Sequence, residues 1–170
     1  DFGAETVIPL VQRYPNLLVT RTFSKSRSLA GMRIGYAVAS AELIEGLDRV
    51  KNSFNSYPLD KPAIAAGVAS LRDDAAFRNN VEAVIAERDL LAGELRGLGF
   101  TVPESSANFL FVRHEQREAG ELASALRERG IIIRHFQHPE RIAGWLRITV
   151  GTPEQHEALL EALRAILAPS

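Results

Sequence analysis

The chain has 170 residues, 46% hydrophobic and 24% charged, with a net charge of −1 and no cysteine. That is enough for one domain, or one domain and part of another, while the balanced charge argues against a nucleic-acid partner and the missing cysteines exclude disulfides and thiolate metal sites. No apolar run approaches the ~18 residues of a membrane span, so a cytoplasmic protein with no membrane contact is expected.

Glu5 to Tyr14 carries apolar positions at Val7, Ile8, Leu10 and Val11 ahead of Pro15, the spacing of a short helix. Leu17 to Arg21 and Arg33 to Ala39 read as strands on either side of a polar loop, with Gly31 and Gly35 easing the backbone. The loop sets Lys25 among Ser24, Ser26 and Ser28, with Arg27 and Arg33 following. Neighbouring cations favour the neutral amine, which is the form that attacks an aldehyde. Arg33, Ser24 and Thr22 offer the guanidinium fork and hydroxyls that a phosphate needs. A phosphorylated aldehyde cofactor would use all of these groups. A plain polar hairpin would use none.

Ser40 is placed to cap a helix from Ala41 to about Val50, with Leu43, Ile44 and Leu47 on one face. Asn52 to Pro62 breaks the periodicity and reads as a hinge. Tyr57 within it reads as a packed linker residue. Asp60 then caps a helix with Pro62 in its first turn and Ile64, Val68 and Leu71 inward. Asp73 and Asp74 restart a longer helix whose stripe runs from Phe77 through Val81, Arg88 and Leu91 to Leu98, ending at Gly99. Short strands and helices alternate beyond it, as in a small α/β layer. The strands are Phe100 to Val102, Phe109 to Val112, Ile131 to Arg134 and Trp145 to Val150. The helices are Glu118 to Arg129 and one launched by the capping box Thr152-Pro153-Glu154-Gln155.

Alternation along the last strand puts Leu146, Ile148 and Val150 on one face and Arg147 on the other. A guanidinium held on a strand suits bidentate carboxylate binding, and an ion pair with a surface Asp or Glu is the competing reading. Arg134 ends its strand and is a second candidate for an anion. Asn108 marks a turn-to-strand junction. His135 and His138, three apart without cysteine, make a poor metal set, so no metal is expected. His114 and His156 read as solvated.

Thr22-Phe23-Ser24-Lys25, with Arg33 eight residues on and Leu29-Ala30-Gly31-Met32-Arg33-Ile34-Gly35-Tyr36 behind it, resembles the signature of fold-type I pyridoxal-phosphate aminotransferases. It is most similar to the histidinol-phosphate aminotransferase group, and Leu146 to Gly151 resembles the same group. The resemblance implies an α/β fold in which residues 1–51 end the cofactor-binding large domain, 52–60 form the hinge and 61–170 form the small C-terminal domain. It implies pyridoxal phosphate bound covalently to Lys25, which then moves the substrate proton. By the same resemblance Thr22, Ser24 and Arg33 would hold the cofactor phosphate. Arg147 would take the substrate α-carboxylate and Arg134 the substrate phosphate. The implied reaction is amino transfer between histidinol phosphate and glutamate/2-oxoglutarate, in a homodimer. The family's glycine-rich loop, stacking aromatic and pyridine-nitrogen aspartate are not found here. The chain therefore looks like a C-terminal fragment, expected not to transaminate alone. A threonine-phosphate decarboxylase shares much of the pattern, and a non-catalytic dimerisation or ligand-binding domain is the alternative of a different class.

Overall fold

A computed structural model of the chain describes residues 1–168. The backbone gathers into two units, one formed by Ala4–Val81 and the other by Asp1–Gly3 with the chain from Glu82 onward.

In the Ala4–Val81 unit the expected first helix is only a 3-10 turn, Ile8–Gln12, with a proline in its first turn, no side-chain cap and no buried residue. Strands β1 (Val19–Thr22) and β2 (Gly35–Val38) form an antiparallel pair in the register Thr22↔Gly35 to Val19↔Val38. The second strand starts two residues later than its apolar pattern suggests. Arg33 takes the left-handed conformation (φ 55°) at the end of a 3-10 turn, Ala30–Met32, and cannot join the ladder. Gly35 sits where the strands close: a Cβ there would lie 3.0 Å from the Arg21 carbonyl oxygen.

Helix α1 (Ala41–Phe54) is capped by Ser40, which accepts the Leu43 N–H, and runs four residues beyond the expected end. Helix α2 (Lys61–Arg72) is capped by Asp60 as the sequence requires, through the Ala63 N–H at 2.7 Å. The face that α2 buries is not the expected one. Ile64, Val68 and Leu71 are 51%, 42% and 58% exposed, whereas Ala63 and Gly67 are buried. Close approach explains the choice. Ala63 packs with Phe23 and Ile34 in a small core, and a Cβ on Gly67 would stand 3.1 Å from Ile34 Cδ1. Small residues let the helix backbone reach the loop, and larger ones would hold it off.

Helix α3 (Asp74–Gly97) begins with Asp73 accepting the Ala76 N–H. In the second unit the sheet has the order β3 (Phe100–Thr101), β4 (Phe109–His114), β6 (Leu146–Thr149), β5 (Arg134–His135), with every neighbouring pair antiparallel. The sheet's inward residues Leu110, Val112, Leu146 and Ile148 share one core with Leu91 and Leu95 of α3, Leu122 of α4 (Ala119–Glu128) and Leu163 of α5 (Pro153–Leu167). Each fully buried leucine contributes roughly 1.5–3 kcal/mol.

Three local readings change here. The β-branched run Ile131 to Ile133 is not a strand. Gly130 (φ 79°) turns the chain, Ile131 N–H returns to the Leu126 carbonyl, and only Arg134 and His135 pair with β6. Arg88, within the apolar stripe of α3, is 7% exposed, since Nη1 donates to the carbonyls of Phe2 (2.8 Å) and Ala107 (3.4 Å). His156 is buried and His114 half-buried, so neither is a solvated position. The Gly151 N–H donates to His156 Nε2 at 2.9 Å, which leaves the ring proton on Nδ1 to donate to Glu87 at 3.0 Å. The capping box on α5 forms with both of its hydrogen bonds. No helix among the described residues is long and apolar enough to cross a membrane.

Candidate functional site

The lysine loop is built from its two ends. Phe23 N–H donates to the Ile34 carbonyl at 3.1 Å, Leu29 N–H to the Phe23 carbonyl at 3.0 Å, and Ser28 N–H to the Lys25 carbonyl at 2.9 Å. Lys25 therefore opens a tight turn whose base is buried through Phe23 and Ile34. Thr22 Oγ1 accepts the Ser24 N–H at 3.1 Å and donates to the Ile34 carbonyl at 3.5 Å. These bonds bring Thr22, Ser24 and the residue beside Arg33 to the base of one loop. The contact with Ile34 is long for a hydroxyl donor, so the Thr22 hydroxyl stays a candidate for a phosphate beside Ser24 and Arg33.

Ser24 is half-buried, and Lys25 and Arg33 are exposed. Arg33 donates one N–H, from Nη1, to the Ala30 carbonyl at 2.8 Å, so its other donors remain available. The Ser24 hydroxyl and the Lys25 amine make no hydrogen bond among the described residues. A primary amine, an uncommitted hydroxyl and a partly committed guanidinium fit an aldehyde that carries a phosphate.

The second cluster lies on the open face of the four-stranded sheet. Arg147 pairs across the ladder with Arg134 on one side and Phe111 on the other. Both arginines are exposed. Arg147 lies over Phe109 with its guanidinium carbon 5.3 Å from the ring centroid, and Arg134 lies over Phe136 at 5.5 Å. Phe111 stacks on Trp145 at 4.8 Å and meets Phe136 edge-on at 6.1 Å. Two cations directly opposite across a ladder repel. Among the described residues neither has a carboxylate partner, so the surface-ion-pair reading of Arg147 finds no support. Such a pair suits a dianion, which both forks can grip at once.

The aromatic floor beneath the two arginines has one signal in the sequence: Phe109 and Phe111 alternate with buried positions along β4, which puts them on its outer face. Asn108 contributes its backbone, accepting the Val150 N–H at 3.0 Å. Tyr57 is 90% exposed, so it does not pack as a linker residue. His135 Nε2 is occupied by the Ala143 carbonyl at 2.8 Å, and no group of three or more metal-binding side chains occurs among the described residues.

A histidinol-phosphate aminotransferase of Aromatoleum aromaticum is 61% identical over 167 residues, which are 98% of this chain and 47% of that protein. The crystal structure of the histidinol-phosphate aminotransferase from Clostridium acetobutylicum superposes with a TM-score of 0.86 at 22% identity, covering 95% of this chain and 49% of that one. The histidinol-phosphate aminotransferase from Sinorhizobium meliloti, solved in complex with pyridoxal-5'-phosphate, gives 0.78 at 24% identity, covering 90% of this chain and 41% of that one. The last two establish the fold. The chain spans about half the length of the curated relatives it matches. The family model described as aminotransferase class I and II matches residues 1–163, and the chain belongs to that family.

Proposed function

We propose that this chain carries the cofactor lysine and the anion-binding arginines of a pyridoxal-phosphate aminotransferase that acts on histidinol phosphate with glutamate/2-oxoglutarate. The observation that carries the reading is Lys25 at the head of a hydrogen-bonded turn, beside an uncommitted serine hydroxyl and a left-handed arginine. Pyridoxal phosphate, when bound, supplies an aldehyde for amines and an electron-withdrawing ring. Lys25 Nζ holds the cofactor and, once released by substrate, takes and returns the proton on the substrate's Cα. Thr22, Ser24 and Arg33 bind the cofactor phosphate, and Thr22 Oγ1 also accepts the Ser24 N–H that holds the turn. Arg147 fixes the carboxylate of glutamate, so that the Cα proton is held in one orientation. Arg134, directly opposite, adds the second positive charge that a substrate phosphate requires.

From the likeness to histidinol-phosphate aminotransferases we propose as well that the whole protein works on small amine substrates as a cytoplasmic homodimer, with residues 52–60 as the hinge between its large and small domains. The test is steady-state kinetics of the whole protein. Lys25→Ala should remove at least about 10³-fold of kcat. Arg134→Gln should raise KM for histidinol phosphate more than for glutamate. Release of carbon dioxide from threonine phosphate in preference to transamination would support the decarboxylase reading instead. Activity untouched by Lys25→Ala would overturn both.

A further inference from the structure

Arg27 lies two residues beyond Lys25 and is half-buried. Its Nη1 donates to the Ser70 carbonyl at 2.6 Å and reaches the Ser70 hydroxyl at 3.5 Å. Its guanidinium carbon is 4.2 Å from the Phe77 ring centroid and 5.6 Å from that of Phe23. Ser70 belongs to the last turn of α2, where carbonyls lack helical partners and the helix dipole is negative. Phe77 belongs to the first turn of α3. One side chain thus fastens the lysine turn to the end of one helix and the start of the next.

The turn needs fastening. Ser28, the residue after Arg27, holds a left-handed conformation (φ 55°) without being glycine. Such a residue persists only where its surroundings fix it. Hydrogen bonds at the base close the loop, but the contacts of Arg27 reach outward from its tip, to elements far along the chain.

We propose that Arg27 is a positioning residue for Lys25: its guanidinium, set against Phe77 and bonded to the α2 terminus, holds the turn so that the lysine amine is presented in one direction. The inference rests on Lys25 being the cofactor lysine. A lysine in place of Arg27 could reach the same carbonyl but has no planar face to lay on the ring, so it should do part of the work.

The test uses the 170-residue chain and the variants Arg27→Leu, Arg27→Lys and Phe77→Leu. The first readout is amide hydrogen exchange at Ser28 and Leu29, whose N–H groups close the turn. Exchange there should rise about tenfold in Arg27→Leu while α5 is unchanged. The second readout is the share of borohydride-fixed pyridoxal phosphate on Lys25 relative to Lys51 and Lys61, the other lysines of the chain. That share should fall about tenfold in Arg27→Leu and recover in part in Arg27→Lys, a pattern that a merely structural role would not give. Should Arg27→Leu fail to fold, Phe77→Leu keeps an apolar side chain, removes the ring face, and should shift both readouts in the same direction by less. Unchanged exchange at Ser28 and Leu29 overturns the proposal. So does a loosened turn with an unchanged Lys25 share. Equal labelling of the three lysines in the parent chain defeats the cofactor-lysine reading instead, and the exchange readout then still decides whether Arg27 holds the turn.

Discussion

The facing arginines of β5 and β6 lend themselves to a double-mutant cycle built from Arg134→Gln, Arg147→Gln and the double variant. Arg134 and Arg147 are direct partners in the antiparallel register, and both are exposed. Two unit charges about 6 Å apart repel by about 0.7 kcal/mol in water and by about 1.4 kcal/mol at half that dielectric constant. Each guanidinium also lies over a ring, at 5.3 and 5.5 Å, an attraction of about 0.5 kcal/mol that each substitution removes. Single variants therefore mix opposing effects, and the cycle isolates the pair. Each single variant relieves the repulsion, but the double variant can relieve it only once. In low-salt buffer without phosphate, the double variant should be less stable than the sum of the singles by about 0.7–1.4 kcal/mol. At about 1 M sodium chloride the Debye length is near 3 Å, and the coupling should shrink to a few tenths of a kcal/mol. Inorganic phosphate should stabilise the parent chain more than either single variant, turning the coupling favourable. The assay is urea unfolding followed by circular dichroism under the three conditions. Zero or favourable coupling in low salt without phosphate would refute the claim that the fold holds two unpaired cations together for an anion.

Leu122→Ala, at a position with no exposed surface in the core of the second unit, should cost about 2–5 kcal/mol by urea unfolding, and a loss under 1 kcal/mol would show that the site collapses freely. His156→Ala leaves the Gly151 N–H and the Glu87 carboxylate without their partner and should cost about 2–4 kcal/mol, whereas a solvated histidine would cost almost nothing. Limited chymotrypsin digestion should cut first after Phe54, which is 81% exposed at the end of α1 and followed by the irregular segment to Asp60. A first cut elsewhere would argue against a hinge at residues 52–60.

Much of the site was legible because the signals were local. The strand alternation of Leu146-Arg147-Ile148 fixes the outward face of Arg147 through chain geometry alone, and the structure buries Leu146 and Ile148 as that requires. The caps at Ser40, Asp60 and Thr152 likewise depend on residues three positions apart. What stayed hidden depends on partners distant in the chain. Arg134 reads as a lone strand-end cation until the β5–β6 register sets it opposite Arg147. Arg27 reads as a second charge beside Lys25, whereas the fold commits it to the end of α2. On α2 the larger side chains suggested the buried face, but a helix that must come close to Ile34 presents Ala63 and Gly67 instead. For His156, the sequence offers no trace of Glu87, which stands 69 residues away.

The role of Lys25 is tested most simply by adding pyridoxal phosphate to the purified chain, reducing with borohydride and mapping the adduct by mass spectrometry. If Lys25 is the cofactor lysine, a visible absorption band appears before reduction and one dominant adduct forms on Lys25, both absent in Lys25→Ala. Adducts spread evenly over Lys25, Lys51 and Lys61, or an unchanged band in Lys25→Ala, would contradict that role.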